Sequence, residues 1–372
     1  MDLNGHLHQR SNKLPLSQIQ LTSSTGRRNL VINGGMQIFQ RAIGATTAGS
    51  TYETADRFLT NHSSDGAFTT ERSTDNPFGT GYSLKAQVTS ADTSIAATQY
   101  AQLRHKIEAQ NCQHLLYGTS SAKTLTLSFW VKSNKTGTYS IMLRKTDSTA
   151  YLFPHEYTIS SANTWEKKVI TISPTAGSTS FITSSGGAIA NDNGVGLEIF
   201  FNLANGSTYN VGTSNVWTSN GNAFATSNQL NWMDSTSNNF YLTQVQLEVG
   251  SVSEFEHRSF GEELNLCMRY FKRIEVGNNI RISTSAFADT TSRARFVIYH
   301  NPEMRSTPTV AETNLDLADT SGNQDIDAIA TVGSGDLNDV IITRSAGSHS
   351  TGDILQVHTG GNTAKLDFIA EL

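Results

Sequence analysis

The sequence is poor in the residues that many functions of other proteins require. Of its 372 residues only 16% are charged, and the formal net charge is −5. Its longest basic runs are pairs such as Arg27-Arg28, so the positive surface on which nucleic-acid binding depends is not expected. No apolar run is long enough for a membrane span, and the polar N-terminal segment lacks the apolar centre of a secretory signal. We therefore expect a chain made in a cytoplasm.

Cysteine and catalytic motifs are equally scarce. The two cysteines, Cys112 and Cys267, have no neighbouring Cys or His at the spacing of a zinc site, which predicts two free, buried thiols. The motifs of nucleophilic, zinc-dependent and phosphate-binding enzymes are missing. Glycoside hydrolysis needs two opposed carboxyl groups, and the sequence singles out no such pair. These gaps predict a protein without catalytic residues.

What the sequence does contain is a succession of short alternating segments between Asn29 and Arg258, separated by turns rich in Gly, Asn and Ser. Segments that alternate in this way place apolar side chains on one face of a strand and polar ones on the other. The clearest example puts four apolar side chains on one face, those of Leu125, Leu127, Phe129 and Val131. Several such strands with almost no helical period predict an antiparallel sandwich or jelly roll.

A single helix and a smaller β region follow. Ser259 stands three residues before Glu262, as in a capping box, and apolar residues recur at helical spacing up to Phe271. This helix is predicted to link the sandwich to a C-terminal β domain over residues 259–372. Strands are expected at 294–299, 340–343 and 366–370, whereas Asp316 to Asp339 is rich in Asp, Ser, Gly and Asn and shows little strand pattern.

Residues 1–28 form a polar N-terminal arm with no sustained periodicity. Such a segment cannot bury enough apolar surface to fold alone. It is either a disordered tail or a docking arm that orders against another chain. In the second case its apolar contacts would come from Leu14, Leu16, Ile19 and Leu21.

Several of these segments carry a family resemblance. Asn29 to Arg41, with its Asn-Gly-Gly and Gln-Arg elements, and Tyr52 to Phe58 resemble the opening of bacteriophage tail-fibre and virion structural proteins. The run from Leu242 to Gly250 resembles the closing strand of their jelly roll, which is of the carbohydrate-binding-module type. Residues 301–310 and 366–372 resemble the small C-terminal β domain of the same proteins, so the resemblance covers residues 29–372.

The resemblance implies a particle appendage, commonly a homotrimer and commonly concerned with adsorption to a host surface. We therefore expect a virion protein, a tail fibre or receptor-binding appendage, attached to other tail or head proteins through residues 1–28. Its expected partner outside the particle is a host-surface glycan or protein, with no nucleic acid and no membrane insertion. The alternatives are a capsid-anchored head fibre or decoration protein and, less favoured, a polysaccharide depolymerase.

Candidate binding residues can be named within this frame. Aromatic rings that contact sugar are expected in polar loops, and four rings fit, those of Tyr151, Tyr209, Trp217 and Trp232. The alternative is that they pack against the domain itself. Trp130 and Trp165 lie at strand positions and are expected in the core.

Charged residues beside the predicted strands are also open to two interpretations. Asp192, in the run Asn-Asp-Asn-Gly, is a weak calcium candidate, although a plain tight turn needs the same residues. No cofactor is otherwise expected. Asp56, Arg57, Glu108 and Glu248 are interpreted as structurally paired charges.

Overall fold

A computed structural model describes residues 27–275, 281–319, 322–344, 349–359 and 364–372. The arm residues Leu14, Leu16, Ile19 and Leu21 lie outside the described residues. Antiparallel strands are the main regular structure of the described chain, with one α-helix and a few short 3₁₀ turns, which confirms the all-β prediction. No helix in these ranges has the length and apolar character needed to cross a membrane.

The first part of the chain supplies eleven strands of a jelly-roll sandwich. In chain order they are β1 (Thr46–Thr47), β2 (Phe58–His62), β3 (Ala67–Ser73), β4 (Ser83–Ser90), β5 (Tyr100–Glu108), β6 (Leu125–Ser133), β7 (Gly137–Lys145), β8 (Tyr151–Ile159), β9 (Glu166–Ile172), β10 (Val195–Asn205) and β11 (Asn239–Val249).

These strands form two facing sheets. One has six strands in the order β1-β3-β4-β11-β6-β9, and the other has five in the order β2-β5-β10-β7-β8. Neighbours in each sheet are antiparallel, and the chain crosses repeatedly from one sheet to the other, as in a jelly roll.

The sandwich core follows the alternation of the sequence. Leu125, Leu127, Phe129 and Val131 are all 0% exposed, as predicted. Phe129 meets Phe201 of the opposite sheet edge-to-face at 5.2 Å between ring centres. Burying one such ring contributes about 2–3 kcal/mol, so this alternation largely accounts for the cohesion of the two sheets.

The linking helix, α1, spans Phe260–Met268. The Ser259 hydroxyl accepts a hydrogen bond from the Glu262 N–H at 3.2 Å, as the capping prediction requires. The helix ends before Phe271, where it was expected to end, because the backbone of Phe271 pairs with Ile369 in a sheet.

The C-terminal region supplies ten further strands. They are β12 (Phe271–Glu275), β13 (Arg281–Thr290), β14 (Arg293–Tyr299), β15 (Thr309–Thr313), β16 (Leu315–Asp319), β17 (Gly322–Asp325), β18 (Ala328–Gly333), β19 (Leu337–Thr343), β20 (Ile354–Thr359) and β21 (Lys365–Ile369). A three-stranded sheet, β12-β21-β15, packs on a seven-stranded sheet, β17-β16-β20-β13-β14-β19-β18. Their shared core is separate from that of the sandwich.

The polar stretch from Asp316 to Asp339 was expected to contain little strand, and this is wrong. It carries β16 to β18 and the start of β19. Strands β17 and β18 are the two edge strands of the seven-stranded sheet, each hydrogen-bonded to one neighbour within that sheet. Backbone pairing with a neighbouring strand therefore holds a sequence whose own alternation is weak.

The two domains meet through buried charge. Arg57 is 0% exposed, pairs with Glu371 near the C-terminus, and stacks its guanidinium 3.6 Å from the ring centre of Tyr270. Arg41 reaches the same carboxylate at 2.9 Å. The resembling segments around residues 41 and 57 thus form a structural junction between the domains.

A second buried carboxylate reinforces this junction. Glu108 accepts hydrogen bonds from Arg269 at 2.7 Å and from the Tyr270 hydroxyl at 2.6 Å. Within the sandwich, Glu248 accepts from the Ser253 backbone N–H at 2.8 Å. Asp56 accepts from the Gln40 backbone N–H at 2.9 Å. The prediction that backbone or arginine partners satisfy these charged groups is confirmed.

Candidate functional site

The two tryptophans predicted to contact sugar lie in the core instead. Trp217 is 1% exposed, and its indole N–H donates to the Ser173 carbonyl at 2.8 Å. Trp232 is 0% exposed and donates to the Asn239 carbonyl at 3.1 Å. Their polar loops fold back onto the sandwich, and a backbone carbonyl satisfies each N–H. Neither ring can present a face to a ligand, so this part of the prediction is wrong.

The two predicted tyrosines are also engaged within the protein. Tyr151 is buried and stacks on Phe181 with ring centres 4.7 Å apart, so the prediction fails for this ring too. Tyr209 is half-buried and stacks on Phe224 at 4.7 Å, with the edge of Tyr100 at 5.5 Å. A sugar contact at Tyr209 stays a prediction.

Asp192 stabilises the turn in which it lies. Its carboxylate accepts a hydrogen bond from the Gly194 N–H at 2.8 Å, and its carbonyl accepts from the Gln110 N–H at 2.9 Å. In the part of the chain that the structure describes, no three His, Cys, Asp or Glu side chains group as metal ligands. The geometry is that of the plain turn, and calcium binding at Asp192 stays a prediction.

The structure instead places aromatic side chains on the outer face of the six-stranded sheet. Trp130 follows buried Phe129 on β6 and so points away from the core, contrary to the prediction, with its ring 5.5 Å from Phe78. Trp165 also lies outside the core, where its N–H donates to Asp75 at 2.9 Å. The Lys132 ammonium lies 5.4 Å from the Trp165 ring and pairs with the same Asp75 carboxylate, so this buried cation holds the ring in place.

A groove of about 610 Å³ opens beside this surface. It is formed by the turn after Asn33, the loop between β3 and β4, the middle of β11, and the segment that leads into α1. Its lining consists of Gly35, Gln37, Asn76, Phe78, Thr80, Gly81, Thr243, Gln244, Glu254, Phe255, His257, Arg258, Phe260 and Glu263.

Exposed aromatic rings mark this groove. Phe78 is 50% exposed and Phe260 is 64% exposed. Phe255 contacts His257 with ring centres 5.1 Å apart. A ligand that covers these large apolar side chains and removes them from water gains roughly 25 cal/mol of binding free energy per Å² covered.

Gln244, in the middle of β11, contributes a polar side chain to the groove lining. It has a left-handed backbone, with φ of 48°, at a break in the register between β11 and β6. Such bulges re-aim a side chain, and a strained non-glycine backbone is often found at binding sites. Among the described residues, no partner is found for its side-chain amide. Both its donor and its acceptor are available to a ligand.

The bulge is held from below by Gly34. The Val245 N–H donates to the Gly34 carbonyl at 2.9 Å, and a Cβ atom on Gly34 would lie 2.1 Å from the Val245 carbonyl oxygen. The Asn29 amide donates to that same oxygen at 3.0 Å. Gly34 of the Asn-Gly-Gly element is therefore required for the close contact between its backbone and that of Val245, since only glycine leaves room for it.

A network of charges forms one wall of the groove. Arg258 donates to Glu263 at 3.2 Å and to the Asn29 carbonyl at 2.5 Å. The Glu263 carboxylate also accepts from the Asn33 N–H at 2.5 Å. These bonds join the segment that leads into α1 to the turn at Asn33, and Glu254 is the remaining lining carboxylate.

No protein-family model and no curated protein matches the sequence. Among solved structures, the enzymatically active domain of tailspike protein 4 of bacteriophage CBA120 is similar at 14% identity and a TM-score of 0.30, covering 60% of this chain and 21% of that chain. The family 11 carbohydrate-binding module of a cellulosomal cellulase from Clostridium thermocellum is similar at 14% identity and 0.27, covering 58% and 99%. At this level of similarity the solved structures do not identify a ligand for this chain.

Proposed function

We propose that this protein is a non-catalytic binding component of a bacteriophage particle, a tail fibre or receptor-binding appendage, and that its groove takes a glycan of the host surface. The observation that carries the glycan proposal is the combination of the exposed rings of Phe78 and Phe260 with the available amide of Gln244.

These groups match the chemistry of a sugar ring. A pyranose has an apolar face of C–H groups that an aromatic ring can cover, and a rim of hydroxyls that both donate and accept hydrogen bonds. A primary amide such as that of Gln244 can donate to one hydroxyl and accept from its neighbour. The volume of about 610 Å³ lies within the usual range for small-ligand sites and suits a short oligosaccharide.

The charges of the groove favour binding without catalysis. Hydrolysis of a glycosidic bond needs two carboxyl groups on opposite sides of the bond. Of the two carboxylates that line the groove, Glu263 is already occupied by Arg258 and the Asn33 N–H. Glu254 therefore has no free carboxylate partner among the described lining residues.

Assignment to a phage particle is supported by the resemblance over residues 29–372. In this proposal residues 1–28 attach the protein to other tail or head proteins, and the chain works as a homotrimer in the virion. The buried ion pair of Arg57 with Glu371 ties the sandwich that carries the groove to the C-terminal domain.

The test is binding of the purified full-length chain to a printed panel of bacterial surface polysaccharides and neutral β-linked oligosaccharides. We expect saturable binding to at least one of them, weakened about tenfold or more by Phe260→Ala or Gln244→Ala, which corresponds to about 1.4 kcal/mol or more. Val211→Ala, another exposed apolar residue outside the lining, is the matched control and should bind as the unmodified protein.

Three outcomes would overturn the proposal in different ways. Binding that both groove variants leave intact would place the site elsewhere, and absence of binding across the panel would refute the glycan ligand. Release of reducing sugar from a bound polysaccharide would refute the non-catalytic assignment.

A further inference from the structure

A second unpartnered surface lies in the C-terminal domain. The outer face of its seven-stranded sheet, which we name the C-terminal outer face, carries six large apolar side chains that are 39–75% exposed. They are Phe287, Val297, Tyr299, Val332, Leu337 and Ile354.

The strand register brings these side chains together. Phe287 on β13 pairs with Ile354 on β20, and Tyr299 on β14 pairs with Leu337 on β19. Val297 and Val332 flank the same residue, Asp339, from the two neighbouring strands. Directly paired residues have Cβ atoms about 5 Å apart, and Phe287, which pairs with Arg295, is the diagonal neighbour of Val297. The six side chains therefore share one face, on which Arg295 and Asp339 lie between the apolar groups.

The opposite face of this sheet is already the core of the domain. Ala294, Phe296, Val340 and Ile342 alternate with the exposed residues and are 0–6% exposed. Strands that are apolar on both faces are typical of sheets covered on both sides, whereas a sheet with one face in water alternates cleanly with polar residues.

The charges on the C-terminal outer face indicate what covers it. Asp289 pairs with Arg293 at 2.8 Å and with Arg295 at 2.6 Å, and Arg295 also reaches Asp339 at 2.8 Å. The two acids and two arginines satisfy one another, so the charges that lie among the six apolar side chains are paired. Within this patch an identical surface meets no unpaired charge of like sign.

The size of the surface also suits self-association. Six half-exposed side chains of this kind present on the order of 500 Å² of apolar area, near the upper end for a monomer's largest patch. With the paired charges and the surrounding strand residues, the face approaches the roughly 800 Å² per partner of a stable interface.

We infer that the C-terminal outer face is the surface through which copies of this chain associate, with three such faces meeting around one axis. This inference rests on the homotrimer of the proposed function and adds the surface that forms it. In this arrangement the aromatic and aliphatic residues of each face lie against those of the other two copies.

The test measures the mass of the full chain in solution, by sedimentation equilibrium and light scattering over a range of concentrations. Three chains of 40.4 kDa give about 121 kDa. Val297→Asp and Ile354→Asp should each raise the dissociation constant at least tenfold, while circular dichroism and the melting profile show a folded chain. Val169→Asp, which changes a similarly exposed strand valine on the sandwich, is the matched control and should keep the mass of the unmodified protein.

The outcomes distinguish whether the chain self-associates from whether it does so through the C-terminal outer face. An unmodified protein that stays at 40.4 kDa at all concentrations would refute self-association altogether, without bearing on glycan binding. An oligomer that both face variants leave intact would refute the assigned surface alone. A stable dimer lost in both variants would support the surface and refute the three-fold arrangement.

Discussion

Replacing Glu371 by Ala tests whether the buried charges at the domain junction hold the two domains together. The carboxylate of Glu371 is 8% exposed and pairs with both Arg57 and Arg41. Without it, Arg57 keeps a hydrogen bond to the Lys106 carbonyl at 2.9 Å and the ring of Tyr270, but has lost its anionic partner.

The expected cost follows from the burial of Arg57. An arginine that is 0% exposed cannot recover water when its partner is removed. Removal of one member of a buried ion pair typically costs about 3–5 kcal/mol, because the other charge is left uncompensated. Glu371→Gln, which keeps the shape and part of the hydrogen bonding, should cost less than Glu371→Ala.

Urea unfolding followed by tryptophan fluorescence measures this cost. Glu275→Ala is the matched control, since Glu275 also pairs with a cation, Lys365 at 4.0 Å, but is 58% exposed. An exposed pair contributes about 0–1 kcal/mol, so the control should change the free energy of unfolding little. Equal, small effects of the two alanine substitutions would refute the role assigned to the junction.

Three further predictions concern stability and reactivity. Burial, aided by the charge of Arg57, lowers the pKa of His105 to about 3, whereas the histidine of the unfolded chain titrates near its ordinary pKa of about 6.5. The neutral His105 therefore contributes fully to the stability of the fold above about pH 6.5, and this contribution is lost as the pH falls, because only the unfolded chain takes up the proton. Between pH 6 and 4 the free energy of unfolding should fall by up to about 1.4 kcal/mol per pH unit from this group, and His105→Gln should flatten that slope. Gly34→Ala should lower the melting temperature and weaken any glycan binding, because its Cβ atom meets a carbonyl oxygen at 2.1 Å, whereas Gly44→Ala, with nothing within 4 Å, should change neither. Burial raises the pKa of the Cys112 thiol, so this thiol should react with a disulfide reagent at pH 8 only after denaturation.

Alternation along a strand was the most informative signal in the sequence. It gives the buried face of β6 correctly, and the same period requires Trp130, next to Phe129, to point outward. The prediction that Trp130 is buried is wrong because its position in the alternation, and not its size and apolar character, decides which face it occupies. On β6 the alternation along the strand, and not the type of residue, determines which side chains face the core.

Loop burial could not be read from the sequence. Trp217 and Trp232 stand among polar residues, and the carbonyls that satisfy their N–H groups are contributed by Ser173 and Asn239. Ser173 is 44 residues from Trp217, so no local pattern announces that contact. The groove has the same origin, since segments near residues 35, 78, 244 and 260 meet only in the folded chain.

The proposed groove and the proposed assembly surface are linked through the junction. The Asn33 N–H holds Glu263 at the groove wall, and the Asn33 amide donates to the Asp56 carbonyl at 2.9 Å, next to Arg57. If the C-terminal domain assembles around an axis as proposed, a sandwich tied to it in this way would hold its groove near two others. Three grooves that engage one repetitive polysaccharide would bind far more tightly than each alone, since after the first contact the other two are intramolecular. Individually weak sugar contacts, such as one ring and one amide provide, would then suffice for attachment to a cell surface.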